Sequence, residues 1–343
     1  MTFSKLFKGL SFFATLIAFV VITLGAYVRL SNAGLGCPDW PGCYGKISVP
    51  VSAMEIDKAN SVFPHRPVET DKAWKEMLHR YFASFLGFLI LSLSVTAWLN
   101  RKEISQQKVL PFLLLVLVVF QGLLGMWTVT LLLKPVIVTL HLLSGMLTLL
   151  LLWLMTMRAD VLPDLRASVD MSVPPALKMC ALLALLVVYG QIFLGGWTST
   201  NYAALHCWDF PTCQGQWLPD ANFSEAFTLH HVQHEPGKNY EGGVLSNAAG
   251  MAVHLSHRIG ALLTLIIVGS LSLVLMITSR SKNVRITAVV MLMLLLLQVL
   301  LGVSNVLLGL PVPVAVAHNG VAALLLLSVV TVNYLLLSTR IIR

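Results

Sequence analysis

The chain has 343 residues, 57% of them hydrophobic and 11% charged, with mean hydropathy +0.82 and net charge +8. Such an apolar, charge-poor composition excludes an ordinary soluble domain and makes a bilayer the natural solvent. The positive charge does not signal nucleic acid, because the basic residues are not gathered into a patch interleaved with aromatics.

Apolar runs long enough for membrane helices are predicted near 10–29, 80–99, 109–131, 138–157, 177–198, 255–278, 286–308 and 315–337. An even number of spans puts both termini on one side. Lys5 and Lys8 precede the first run as in a signal peptide, but no small-residue cleavage pattern ends it, so it reads as a true helix. The sequence lacks the long Arg- and Ser-rich leader of an organelle precursor, which points to a bacterial inner membrane. Lys5, Lys8, Arg101, Lys102, Lys108, Arg158, Arg166, Arg280, Lys282, Arg285, Arg340 and Arg343 fall on one side, assigned to the cytoplasm. The opposite connections, about 30–76 and 199–253, are long and mixed in charge.

The sequence repeats internally. GAYVRLSNAGLGCPDWPGCYG begins at Gly25 and GGWTSTNYAALHCWDFPTCQG at Gly195; both reach a first Cys after twelve positions and continue as C-x5-C with matched Asp and Pro. His79-Arg80 pairs with His257-Arg258, Gln121-x3-Gly125 with Gln298-x3-Gly302, and His141 with His318. The expected fold is an all-α membrane protein of two tandem pseudo-symmetric four-helix bundles, 1–160 and 161–343. With four spans each, the halves insert in the same orientation, related by an axis along the membrane normal.

Ionisable residues in membrane helices are costly and therefore functional candidates. His79 with His141, and His257 with His318, are expected at the outer ends of even-numbered helices. Two facing neutral imidazoles suit the axial positions of a heme iron inside a four-helix bundle. Zinc is the weaker metal reading, since neither pair brings the further ligands it needs. Arg80 and Arg258 are candidate propionate contacts or interfacial anchors. His65, His206, His230, His231 and His234 lie in outer loops.

The halves differ at one telling position. Glu76 lies one turn before His79, whereas His254 occupies the matching place before His257. Only the first half thus offers a carboxylate able to take a proton from, or stabilise positive charge on, a group held at its heme. Cys37 with Cys43 and Cys207 with Cys213 lie in outer loops, where an oxidising compartment permits disulfides. Such clips would contribute roughly 2 kcal/mol each, and the first pair is also a candidate for a redox role. Cys180, inside the fifth run, is expected to be a buried small hydrophobe.

GLGCPDWPGC at 34–43, Glu76-x-x-His79-Arg80, TLHLLSG around His141, HLSHRIGA around His257 and His318 in VAHNG together resemble the heme A synthase family over nearly the whole chain. The resemblance implies an oxidoreductase that converts the C8 methyl of heme O to a formyl through successive hydroxylations, supplying heme A to terminal oxidases. It implies substrate heme at His79 and His141 with Glu76 as the catalytic group, and a resident heme b on the iron ligands His257 and His318. Heme O synthase, an electron-transfer partner and a second copy of the chain are the associations left open. The rival reading is a diheme bis-histidine electron-transfer cytochrome, which Glu76 without a second-half equivalent counts against.

Overall fold

The computed structural model describes residues 3–100, 109–159, 161, 174–228 and 237–337. Its framework is eight helices long and apolar enough to cross a membrane: α1 (Phe3–Leu30), α2 (Thr70–Leu99), α3 (Leu110–Thr130), α4 (Pro135–Arg158), α5 (Pro175–Thr200), α6 (Asn247–Thr278), α7 (Lys282–Leu307) and α8 (Val312–Leu337). There are no strands among the described residues.

Several helices start earlier than the apolar runs. α2 begins at Thr70 and α6 at Asn247, because their first turns, TDKAWKE and NAAGMAV, are polar or small yet still helical. The side chain of Ser246 caps α6 by accepting the Ala249 N–H. The histidines expected at helix ends therefore lie about two turns inside. Proline occupies the first turn of α3, α4 and α5, where its missing N–H costs no intrahelical bond.

Packing partners recur along the chain. α1 and α3 each pack on α2 and α4; α5 and α7 each pack on α6 and α8. α1 and α4 then meet α8, and α4 meets α5, forming a seam. A few polar side chains bond from helix to helix within this packing. Trp153 Nε1 donates to Thr331 Oγ1 at 2.9 Å, and Asn333 Nδ2 to the Ala181 carbonyl at 2.8 Å. The dominant core cluster includes Leu93, Leu149, Met155, Leu275, Met291 and Leu326. Cys180 does not belong to it: its side chain is exposed on α5 beside exposed Met179, so it faces lipid rather than core.

On the outer side, residues 31–69 carry a ten-residue surface helix, Ala53–Val62, held by a capping box between Ser52 and Glu55. The second outer segment carries a short helix, Phe223–Ala226. Contacts that tie the outer faces of the halves include these: Arg29 donates to the Ser199 carbonyl at 2.5 Å and lies over the Tyr202 ring, Arg66 pairs with Glu241 at 3.3 Å, and the Tyr240 N–H donates to the Leu132 carbonyl.

Candidate functional site: four histidines on four glycines

Each marked histidine lies against a glycine of a neighbouring helix. A Cβ added at Gly25 of α1 would sit 3.0 Å from His79 Cε1, and one at Gly125 of α3 would sit 3.5 Å from His141 Cε1. In the second half the distances are 3.1 Å from Gly195 to His257 and 3.2 Å from Gly302 to His318. Without a side chain, glycine lets the imidazole approach the helix backbone.

A buried polar atom with no partner is expensive and asks for an explanation. Nδ1 of His79, of His141 and of His318 are such atoms. Buried imidazole nitrogens without partners fit the chemistry of heme-iron ligands, and His79, His141, His257 and His318 would be the residues to hold such a group.

A disulfide loop covers each pair. Cys37–Cys43 and Cys207–Cys213 are both bonded. Each second cysteine opens a two-residue turn: Cys43 exchanges backbone bonds with Lys46, and Cys213 with Gln216. Tyr44 and Gly45 have φ of 54° and 73°, and Gln214 and Gly215 have 54° and 75°, the left-handed pair such a turn demands. Asp39 accepts from the N–H groups of Tyr44 and Gly45 at 2.6 and 2.7 Å; Asp209 does the same for Gln214 and Gly215 at 2.6 and 2.9 Å.

The loops dock on the residues flanking the first histidine. Arg80 donates to the carbonyls of Asp39, Pro41 and Gly42, and Arg258 to those of Cys207, Asp209 and Thr212. Buried Glu76 accepts the Cys37 N–H at 2.9 Å and pairs with Arg80 at 2.5 Å. His254 fills that place in the second half, 3.3 Å from both Cys207 N and Arg258 Nε. A neutral imidazole accepts at one nitrogen only, so His254 satisfies one of two donors where the carboxylate satisfies both.

The cytochrome oxidase assembly protein family, COX15-CtaA, matches residues 8–330, a stretch that contains all four histidines, Glu76 and both disulfides. The chain belongs to this family. A heme A synthase of Shewanella oneidensis is 46% identical over 321 residues, covering 92% of each chain. One from Halalkalibacterium halodurans is 28% identical over 332 residues, 93% of this chain and 94% of its own. One from Allorhizobium ampelinum is 26% identical over 334 residues, 90% and 84% respectively.

In this family member the predicted residues fall into two groups. His79, His141, Glu76, Arg80 and the first disulfide gather at the outer end of α1–α4; His257, His318, Arg258, His254 and the second disulfide gather at that of α5–α8. Exposed His65 stays apart. His206 packs on Gly250, whose added Cβ would come 2.2 Å from its ring. His230, His231 and His234 lie outside the described residues, as do Arg101, Lys102, Lys108, Arg166, Arg340 and Arg343. Sequence reasoning used Gly25, Gly125, Gly195 and Gly302 only as repeat markers and missed that they seat the histidines. It also missed Gln191, whose Gln-x3-Gly195 spacing matches Gln121-x3-Gly125.

Proposed function

We propose that this chain is a heme A synthase, an enzyme that oxidises the C8 methyl of heme O to a formyl through successive hydroxylations. The observation that carries the proposal is the set of four glycine-seated histidines, three with a buried and unpartnered ring nitrogen. The half 1–160 takes heme O between His79 and His141, and the half 161–343 holds a resident heme b between His257 and His318. When bound, heme b supplies a one-electron redox centre.

The chain's own residues position and polarise. Glu76, one turn from His79 and anchored by the Cys37 N–H and Arg80, presents a fixed carboxylate beside the substrate site. It takes a proton from, or stabilises positive charge on, the reacting group. Arg80 and Arg258 hold the disulfide loops as lids over the ligand pairs; a propionate reaching either guanidinium would share it with loop carbonyls. The enzyme works in a bacterial inner membrane with both termini cytoplasmic, beside a heme O source and an electron-transfer partner.

The test is mass analysis of hemes that copurify with the protein expressed alongside a heme O source. Heme B together with heme O, hydroxylated heme or heme A is expected, and Glu76→Ala should keep heme B while blocking heme A. Two equivalents of heme B alone, with heme O available, would instead make the protein a diheme electron-transfer cytochrome.

A further inference from the structure

The two histidine pairs are held differently. Gln191 Nε2 lies 3.0 Å from His257 Nδ1 and donates to the His257 carbonyl at 2.9 Å; Gln298 Nε2 lies 3.2 Å from His318 Nε2. Both amides keep a buried, unpartnered Oε1. A half-turn of the amide would offer that oxygen to a ring N–H, so glutamine can hold either tautomer of the imidazole. With the amide oxygen accepting the ring N–H, ring orientation is set and the other nitrogen, which then carries the lone pair, is strengthened as a ligand.

In the first half both devices are dismantled, each by a different residue. Val21 stands where Gln191 stands in the second half, four residues before the glycine, and has no side-chain donor. The change is matched across the helix contact: Gly260 makes room for Gln191, since an added Cβ would lie 2.2 Å from its Oε1, and Phe82 stands at the corresponding place. On the other ligand Gln121 is retained but turned away. Its Oε1 accepts from Ser144 Oγ at 2.7 Å and its Nε2 donates to the His141 carbonyl at 3.2 Å, which leaves the His141 ring unheld by it. The second-half counterpart of Ser144 is Val321, which cannot compete for Gln298.

We propose that Gln191 and Gln298 are positioning residues that lock His257 and His318 as permanent heme ligands, while Val21 and Ser144 leave His79 and His141 as an exchangeable pair. The inference rests on the functional reading above and adds to it the residues that decide which heme stays and which leaves. An enzyme whose substrate and product are both hemes must release one ligand set each turnover, and rings without a side-chain anchor let go more readily.

The experiment is heme transfer from the purified, loaded full-length protein to excess apomyoglobin, with His79→Ala and His257→Ala assigning the phases. Wild type should release in a fast phase from the first half and a slow phase from the second. Gln191→Val, and independently Gly260→Ala, which displaces the amide without deleting it, should speed the slow phase roughly tenfold, the scale of losing a ligand's hydrogen-bond partner. Both should also shift the low-spin g-values of the second-half heme, which report imidazole orientation. Ser144→Val, which frees Gln121, should slow the fast phase, as should the paired change Val21→Gln with Phe82→Gly. Two release phases unmoved by all these variants, with unchanged g-values, would overturn this inference and leave the functional reading standing. A single release phase from wild type would also overturn this inference, whereas heme B alone in two equivalents would overturn the functional reading.

Discussion

Replacing Gly195 with alanine tests whether the glycine seats matter to the ligand or only to the helix. In a helix interior Gly→Ala is worth about 0.5–1 kcal/mol of added stability. Here the new Cβ would lie 3.1 Å from His257 Cε1, so the ring must retreat by a few tenths of an ångström to reach ordinary contact. A ring pushed about 30° off its rotamer costs about 0.5–1.5 kcal/mol. The two terms offset, so thermal unfolding of the heme-free protein should barely move. The proposed heme ligation needs the undisplaced ring, so the strain should fall on affinity, about tenfold for each 1.4 kcal/mol. Gly190 in the same helix has nothing within 4 Å of an added Cβ and is the internal control. Heme content per protein and thermal midpoint, measured on Gly195→Ala and Gly190→Ala side by side, separate the effects. Equal second-half heme retention in both variants would refute the reasoning.

The loop anchors give two further predictions. Arg80→Ala removes the counter-charge of nearly buried Glu76 and the donor to three loop carbonyls, a loss of about 3 kcal/mol or more; Arg258→Ala leaves only a neutral imidazole behind and should cost less, with limited proteolysis of the two outer loops and thermal midpoints as the comparison. The Asp209 carboxyl is held at about 2, below its ordinary 3.8, chiefly by the Thr212 hydroxyl and then by the Gln214 and Gly215 N–H groups. A depressed carboxylate stabilises the fold above its ordinary value and loses that contribution as pH falls through the folded value, so the second loop should become protease-sensitive between about pH 4 and 2, and Asp209→Asn should abolish that dependence.

Much of the site was legible because its features repeat. Eight apolar runs give eight spans, and the matched histidines, cysteines and Gln-x3-Gly segments mark equivalent places, with Glu76 against His254 as the exception that breaks the match. What composition and spacing missed depends on direction. Hydropathy placed the start of the second helix near residue 80, because TDKAWKE is polar, and so put His79 at an end rather than inside a helix. Cys180 sits in an apolar stretch of sequence, yet which side of α5 it occupies is set by packing, and in a bilayer the lipid face is as apolar as the core. The glycine seats were present as letters, but only the crossing of α1 with α2 and of α3 with α4 shows what each glycine faces.

α8 has consequences for how the molecule is made. Its membrane window is 67% buried, against 17–39% for the other seven, because it packs on α1, α4, α5 and α7. It also lies C-terminal to the other seven, so it leaves the ribosome after them. The helices around His257 and His318 therefore lack a wall until α8 is made, while the four around His79 and His141 all precede it. Assembly is thus ordered in time: the first four helices can pack together early, but the second set, and the seam between the two, must wait for α8 to slot into a bundle already in the bilayer.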